Sequence, residues 1–185
     1  MNSKKVVKKD SKLKNMFRKL YPTYKFKSVE SIPYSLIEDN NIKLIMLDMD
    51  NTIIDYSENK YTKDMKEWAE RMKRNGVKLY ILSNSPFGKL VKRIAAELGM
   101  KYYYNAAKPS IRGFKKIMAL EKVNKENMLM VGDQIFTDVW GGNRFGIKTV
   151  LVTPINPKER AFTKLKRPFE KIVIKRYMRK KGENN

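Results

Sequence analysis

Ile42-Lys43-Leu44-Ile45-Met46-Leu47-Asp48-Met49-Asp50-Asn51-Thr52 is an apolar run that stops on two carboxylates, an amide and a hydroxyl. Four more short apolar runs follow it, over residues 77–82, 102–104, 128–131 and 147–152. Between them lie helically patterned stretches at 62–74, 88–98 and 110–121, and a short piece over 138–145. Short apolar runs alternating with helices argue for βαβ units and a parallel sheet buried on both faces. Gly76, Gly99 and Gly146 each stand just before a strand, where a helix C-cap is expected. The predicted fold class is α/β, with a central, mostly parallel five-stranded sheet and helices on both faces.

Ligands of open α/β sheets bind beyond the carboxyl ends of the strands. Here the first run exits into Asp48, Asp50, Asn51 and Thr52, and the second into Ser83-Asn84-Ser85. The third leads to Lys108, and the fourth to Gly132-Asp133 with Asp138 close behind. Two carboxylates two residues apart can divide the labour of phosphoryl transfer. Asp48 would attack phosphorus, while Asp50 protonates the leaving oxygen and then activates water. A phosphomonoester dianion repels a carboxylate, so the pair needs a cation. Asp48 and Asp133 can share a Mg²⁺ completed by a backbone carbonyl and waters. Lys108 would add fixed positive charge, and Ser83 or Ser85, with nearby amides, would hold the equatorial oxygens. Thr52 and Asn51 are read as stabilising the turn after the nucleophile, with Asp55 and Tyr56 on a neighbouring flap.

Composition narrows the chemistry further. The chain has no cysteine and no histidine, which excludes disulfides, thiol catalysis, serine–histidine triads and most zinc hydrolases. Its formal charge is +22, unevenly spread: residues 1–28 carry +9 and residues 158–185 carry +8. Basic ends of this kind suit an anionic partner, either a phospholipid surface or a nucleic acid. No apolar run approaches the about 20 residues that span a bilayer, and the early sequence lacks a signal-peptide core. These features leave a soluble or peripheral chain.

The motifs together resemble those of the haloacid dehalogenase superfamily. Asp48-Met49-Asp50-Asn51-Thr52 is similar to its DxDxT signature, and Leu82-Ser83-Asn84-Ser85 to its second motif. Lys108-Pro109 resembles the third, and Gly132-Asp133-Gln134-Ile135-Phe136-Thr137-Asp138 the fourth, all in order over roughly residues 43–153. The resemblance implies a Rossmann-like core with Asp48 as nucleophile and Asp50 as acid/base. It also implies phosphate contacts from Ser83, Asn84 and Lys108, and Mg²⁺ ligation by Asp48, Asp133 and the Asp50 carbonyl. Asp138, with Thr52, would support the site, Asp138 acting through water or Lys108. Finer similarity points to subfamily IIIA and its YqeG and phosphatidylglycerophosphate phosphatase group. It rests on Gly141-Gly142-Asn143-Arg144, Leu20-Tyr21-Pro22 and Lys166-Arg167-Pro168-Phe169-Glu170. Only with this resemblance does the expectation become a cytoplasmic protein, peripheral on the inner membrane face.

Only 33 positions separate Asp50 from Ser83, and 25 separate Ser83 from Lys108, which leaves no room for a cap domain. An uncapped site is open to a phosphate displayed on something large. The expected organisation is a basic segment over 1–40, a phosphatase core over 41–157 and a basic amphipathic tail over 158–185. Leu13, Met16, Phe17 and Leu20 form an apolar stripe that either packs on the core or enters lipid, and Phe169, Ile172, Val173 and Tyr177 form a second. The expected function is Mg²⁺-dependent dephosphorylation of phosphatidylglycerophosphate at an anionic membrane. Its alternatives are a soluble phosphatase for nucleotides, sugars or proteins, and a nucleic-acid-binding protein with a vestigial pocket.

Overall fold

A strand buried at every position must be covered on both faces, and strand β2 (Leu44–Leu47) is such a strand. The computed structural model describes residues 17–156 and 167–182. The other strands are β1 (Tyr24–Phe26), β3 (Lys78–Leu82), β4 (Lys101–Tyr103), β5 (Met128–Gly132) and β6 (Lys148–Val152). All pair in parallel in one sheet, in the order β1-β6-β5-β2-β3-β4. The five apolar runs are all strands, but the five-stranded expectation is corrected by β1, which pairs with β6 at the edge. Three residues are too few for a readable period, and an edge strand tolerates the exposed Lys25 within it and Lys27 after it.

The helices are α1 (Tyr34–Asp39), α2 (Lys63–Arg74), α3 (Gly88–Leu98), α4 (Arg112–Glu121), α5 (Trp140–Phe145) and α6 (Arg167–Lys181). Alternation along β2 sends Ile45 and Leu47 to one face with Met65, Trp68 and Met72 of α2 and Val91 and Ile94 of α3. Leu44 and Met46 point to the other, with Phe114 and Ile117 of α4 and Phe145 of α5. Thr62 caps α2 by accepting from the Met65 amide at 3.1 Å. Trp68 donates from Nε1 to the Ile32 carbonyl at 3.2 Å, tying the N-terminal segment to the core. A single π-helical turn, Ile135–Val139, runs directly into α5.

The two apolar stripes at the ends divide in different ways. Leu13 and Met16 lie outside the described residues. Phe17 and Leu20 pack against Ile135, Val139, Leu151 and Val173. In α6, Val173 and Tyr177 are buried, whereas Phe169 and Ile172 face solvent.

Register is what builds the functional end. Leu47 pairs with Ile81 on one side and Val131 on the other. The chain therefore leaves the sheet at Asp48, Ser83 and Asp133 on three adjacent strands. Between β2 and β3 the chain holds only a small flap and α2, and among the described residues no cap covers these exits.

At the opposite end, Glu121 accepts from Tyr80 Oη at 2.6 Å and from Lys101 Nζ at 2.7 Å, with Lys78 Nζ at 2.9 Å. The hydrogen bonds from Lys101 and Tyr80 hold its carboxyl at about 2, below the ordinary 4.5, despite its burial. The unfolded chain therefore binds the extra proton between these values, and the stabilisation is complete above about pH 4.5 and lost as pH falls toward 2. Glu121→Gln should cost about 1–2 kcal/mol at neutral pH, because both lysines reach it from solvent and are screened. Urea midpoints should differ at pH 7 and converge as the medium is acidified.

Candidate active site

Asp48 is fixed by its backbone before its side chain is considered. Its amide donates to the Val131 carbonyl at 2.9 Å, which prolongs the β2–β5 pairing by one residue. The buried carboxylate then accepts from Lys108 Nζ at 2.6 Å. The same ammonium lies 2.8 Å from Asp138 Oδ1, so one buried cation is shared by two buried acids. Asp138 is held in turn by the Gln134 amide, which donates to Oδ2 at 3.1 Å. Gly132 makes room for it, since a Cβ there would collide with the Asp138 carboxylate.

Lys108 is positioned by Asn84. The Lys108 amide donates to Asn84 Oδ1 at 2.7 Å, and Asn84 Nδ2 donates back to the Lys108 carbonyl at 3.0 Å. Asn84, expected among the phosphate contacts, thus commits both ends of its amide to a neighbouring backbone. Ser83 is buried beside it, with Oγ accepting from the Ser85 amide at 3.0 Å. Ser85 Oγ accepts from the Phe87 amide at the entrance to α3.

Asp133 completes the cluster. Asp48, Asp133 and Asp138 each place a carboxylate oxygen within 4.8 Å of the others, all buried. Three carboxylates against one ammonium leave an excess of negative charge that a hard divalent cation would neutralise, and an all-oxygen donor set suits Mg²⁺. Burial pushes the Asp48 carboxyl up to about 7 against the pull of Lys108, with Asp138 and Asp50 adding to the rise. Burial alone would lower Lys108, but Asp138 and Asp48 outweigh it and hold the ammonium above its ordinary value. Its charge is therefore fixed throughout the working range.

Asp50 stands next to this cluster, bridged to Ile54 at the base of the flap. Thr52 is buried, and its hydroxyl has no hydrogen-bond partner among the described residues. The flap is latched by a residue that the sequence did not single out. Asn156 Nδ2 donates to both Asp55 oxygens at 3.1 Å and to Ser57 Oγ at 3.2 Å. Its backbone exchanges hydrogen bonds with the Asn51 side chain at 3.2 and 3.3 Å. Glu170 closes the late resemblance motif, and the structure gives it a role that the sequence did not. From α6 its buried Oε1 accepts from the Ile135 amide at 2.8 Å and the Phe136 amide at 3.4 Å, within the loop joining Asp133 to Asp138.

This arrangement has counterparts among known proteins. Residues 57–146 match the model of the haloacid dehalogenase-like hydrolases. Across 89% of its length the chain is 32% identical to the "Probable phosphatase YqeG" of Bacillus subtilis (strain 168), covering 96% of that protein. The chain belongs to the haloacid dehalogenase-like hydrolases. A further relative of this hydrolase is the "Phosphatidylglycerophosphate phosphatase 1, chloroplastic/mitochondrial" of Arabidopsis thaliana, 26% identical over 86% of the chain. The chain spans about half, 48%, of that plant protein. An uncharacterized protein from Listeria monocytogenes serotype 4b shares the fold, with a TM-score of 0.50 and 22% identity over 64% of this chain and 85% of its own.

Lys108→Met should leave Asp48 and Asp138 buried side by side without their cation. The expected loss is about 3–5 kcal/mol in urea unfolding. Mg²⁺ should raise the melting temperature of the wild-type hydrolase, and Asp133→Asn should largely abolish that rise.

Proposed function

We propose that this haloacid dehalogenase-like phosphatase is a Mg²⁺-dependent phosphomonoesterase that converts phosphatidylglycerophosphate to phosphatidylglycerol at the cytosolic face of an anionic membrane. The observation that carries the chemistry is the buried Asp48–Lys108–Asp138 chain beside Asp133, at a strand end that no cap covers among the described residues. Asp48 Oδ attacks phosphorus, and the bond to the ester oxygen breaks as Asp50 gives that oxygen a proton. Asp50, now a carboxylate, takes a proton from water as the water attacks the aspartyl phosphate. Inorganic phosphate leaves, and Asp48 is regenerated.

Lys108 holds Asp48 in place and offsets charge that develops on the phosphoryl oxygens. Ser83 would hydrogen-bond those oxygens, while Asn84 keeps the Lys108 backbone still. Asp48 and Asp133 would hold Mg²⁺ together with the Asp50 carbonyl, and Asp138 would orient the site through Lys108. When bound, the ion screens the phosphate dianion from the carboxylate nucleophile.

Support for the lipid substrate comes from the plant relative's name and from the open site. A site without a lid cannot surround a small metabolite and read all its sides. A phosphate standing out from a bilayer needs no enclosure.

Phosphate release should be measured from phosphatidylglycerophosphate in mixed micelles and from a soluble aryl phosphate, with and without Mg²⁺. Metal-dependent release from the lipid should exceed that from the soluble ester. Asp48→Asn should abolish it, and Asp50→Asn should slow it by about 10²–10⁴-fold. Turnover of the soluble ester alone would retain Asp48 as nucleophile and discard the lipid substrate.

A further inference from the structure

The surface around the site differs from the rest of the molecule in where its apolar side chains lie. Among the described residues, seven large apolar side chains are exposed, and six belong to elements that border the strand exits. Phe87, 64% exposed, follows the Ser83–Ser85 turn, and its amide is held by Ser85 Oγ. Tyr104 leaves β4 directly and stacks on Tyr102 with ring centroids 6.5 Å apart. Ile155 follows β6, and its amide donates to the Asn51 carbonyl at the base of the flap. Phe169 and Ile172, 63% and 51% exposed, flank Glu170, whose carboxylate holds the loop beyond β5. The seventh, Leu120, precedes Glu121 at the amino end of the sheet, where Lys78 and Lys101 begin their strands.

Single exposed apolar residues need no explanation, but their concentration around one opening does. Cations accompany them. Lys89 and Lys92 share a shallow cleft with Tyr102 and Tyr104, and exposed Lys171, Lys175 and Arg176 stand beside Phe169 and Ile172. The acids on this side are Asp55, engaged by Ser57 and Asn156, Glu58, exposed on the flap, and Glu30 and Asp64 at the start of α2, where exposed Lys63 and Lys66 accompany them. Among the described residues no helix is long and apolar enough to cross a membrane.

We propose that this rim is a docking surface for an anionic phospholipid bilayer, with Phe87, Ile155, Phe169 and Ile172 entering the interface and the lysines meeting headgroup phosphates. The proposal rests on the lipid-phosphate reading above and names the surface that such a reading requires. Interfacial binding combines buried apolar area with attraction to anionic headgroups, and both are present around the site mouth. Single-stranded nucleic acid could stack on Phe87, Tyr104 or Phe169, but the exposed aliphatic Ile155 and Ile172 among them suit the apolar side of a lipid interface, and the test separates the two.

The test is co-sedimentation of the full chain with vesicles of equimolar phosphatidylcholine and phosphatidylglycerol that contain no substrate. High salt is included, to screen the attraction of the basic ends. Wild type should bind. Phe87→Ser and Phe169→Ser should each weaken partitioning about tenfold, while Leu120→Ser, outside the rim, should bind as wild type does. Thermal melts check that each variant is folded. Equal binding by all variants, equal loss in Leu120→Ser, or no binding by wild type would overturn the proposal. So would single-stranded RNA binding that depends on Phe87 without vesicle binding. The substrate reading fails separately: micellar lipid turnover by a wild type that does not bind vesicles rejects the rim alone, and vesicle binding without lipid turnover rejects the substrate alone.

Discussion

Lys108 sits in the interior with one ammonium between two carboxylates, and the rest of the functional end is arranged to keep it there. Side-by-side burial of Asp48 and Asp138 would otherwise cost several kcal/mol, and a lone buried ammonium would cost as much. The triad lowers both penalties only while its geometry holds. Hence the close restraints around it: Asn84 grips the Lys108 backbone from both sides, Gln134 restrains Asp138, and the β2–β5 register fixes Asp48. Gly132 is part of the same requirement, since any side chain there would occupy the space of the Asp138 carboxylate.

Much of this was legible in the sequence because it is local. An apolar run followed at once by polar residues marks a strand exit, and Asp48, Ser83 and Asp133 each sit within two residues of one. Parallel pairing then does the rest, since strands in register carry their exits to one edge. Asp138 and Lys108 are close enough in sequence to their strands to be read the same way. Asn156 and Glu170 are different. Asn156 acts on groups 99 to 105 residues away, and Glu170 on amides 34 and 35 residues away. Although Glu170 closes the late resemblance motif, nothing beside either residue gives it this role. Strand β1 escaped for another reason: three residues at a sheet edge leave no period to read. Asn84 lay in the right motif, but which way its amide faces is decided by the Lys108 backbone, 24 residues away, with which it exchanges two hydrogen bonds.

The openness of the site and the placement of its neighbours belong together. Without a cap, substrate selection falls to whatever surrounds the mouth. In this hydrolase those surroundings are a flap latched by Asn156 on one side and the Ser85–Phe87 turn at the start of α3 on another. The flap is short and tied at both its base and its tip, so it forms a fixed wall beside Asp50.

Glu170 gives the last helix a share in the site, and this bears on the order in which a growing chain becomes competent. The sheet and the four polar exits are complete once β6 has been made. The amides of Ile135 and Phe136 then still lack their buried acceptor, which arrives only with α6. During synthesis from the N-terminus, the core can fold before the loop between Asp133 and Asp138 is pinned. The sheet can thus form first, and α6 works as a stitch across that loop rather than an appendage.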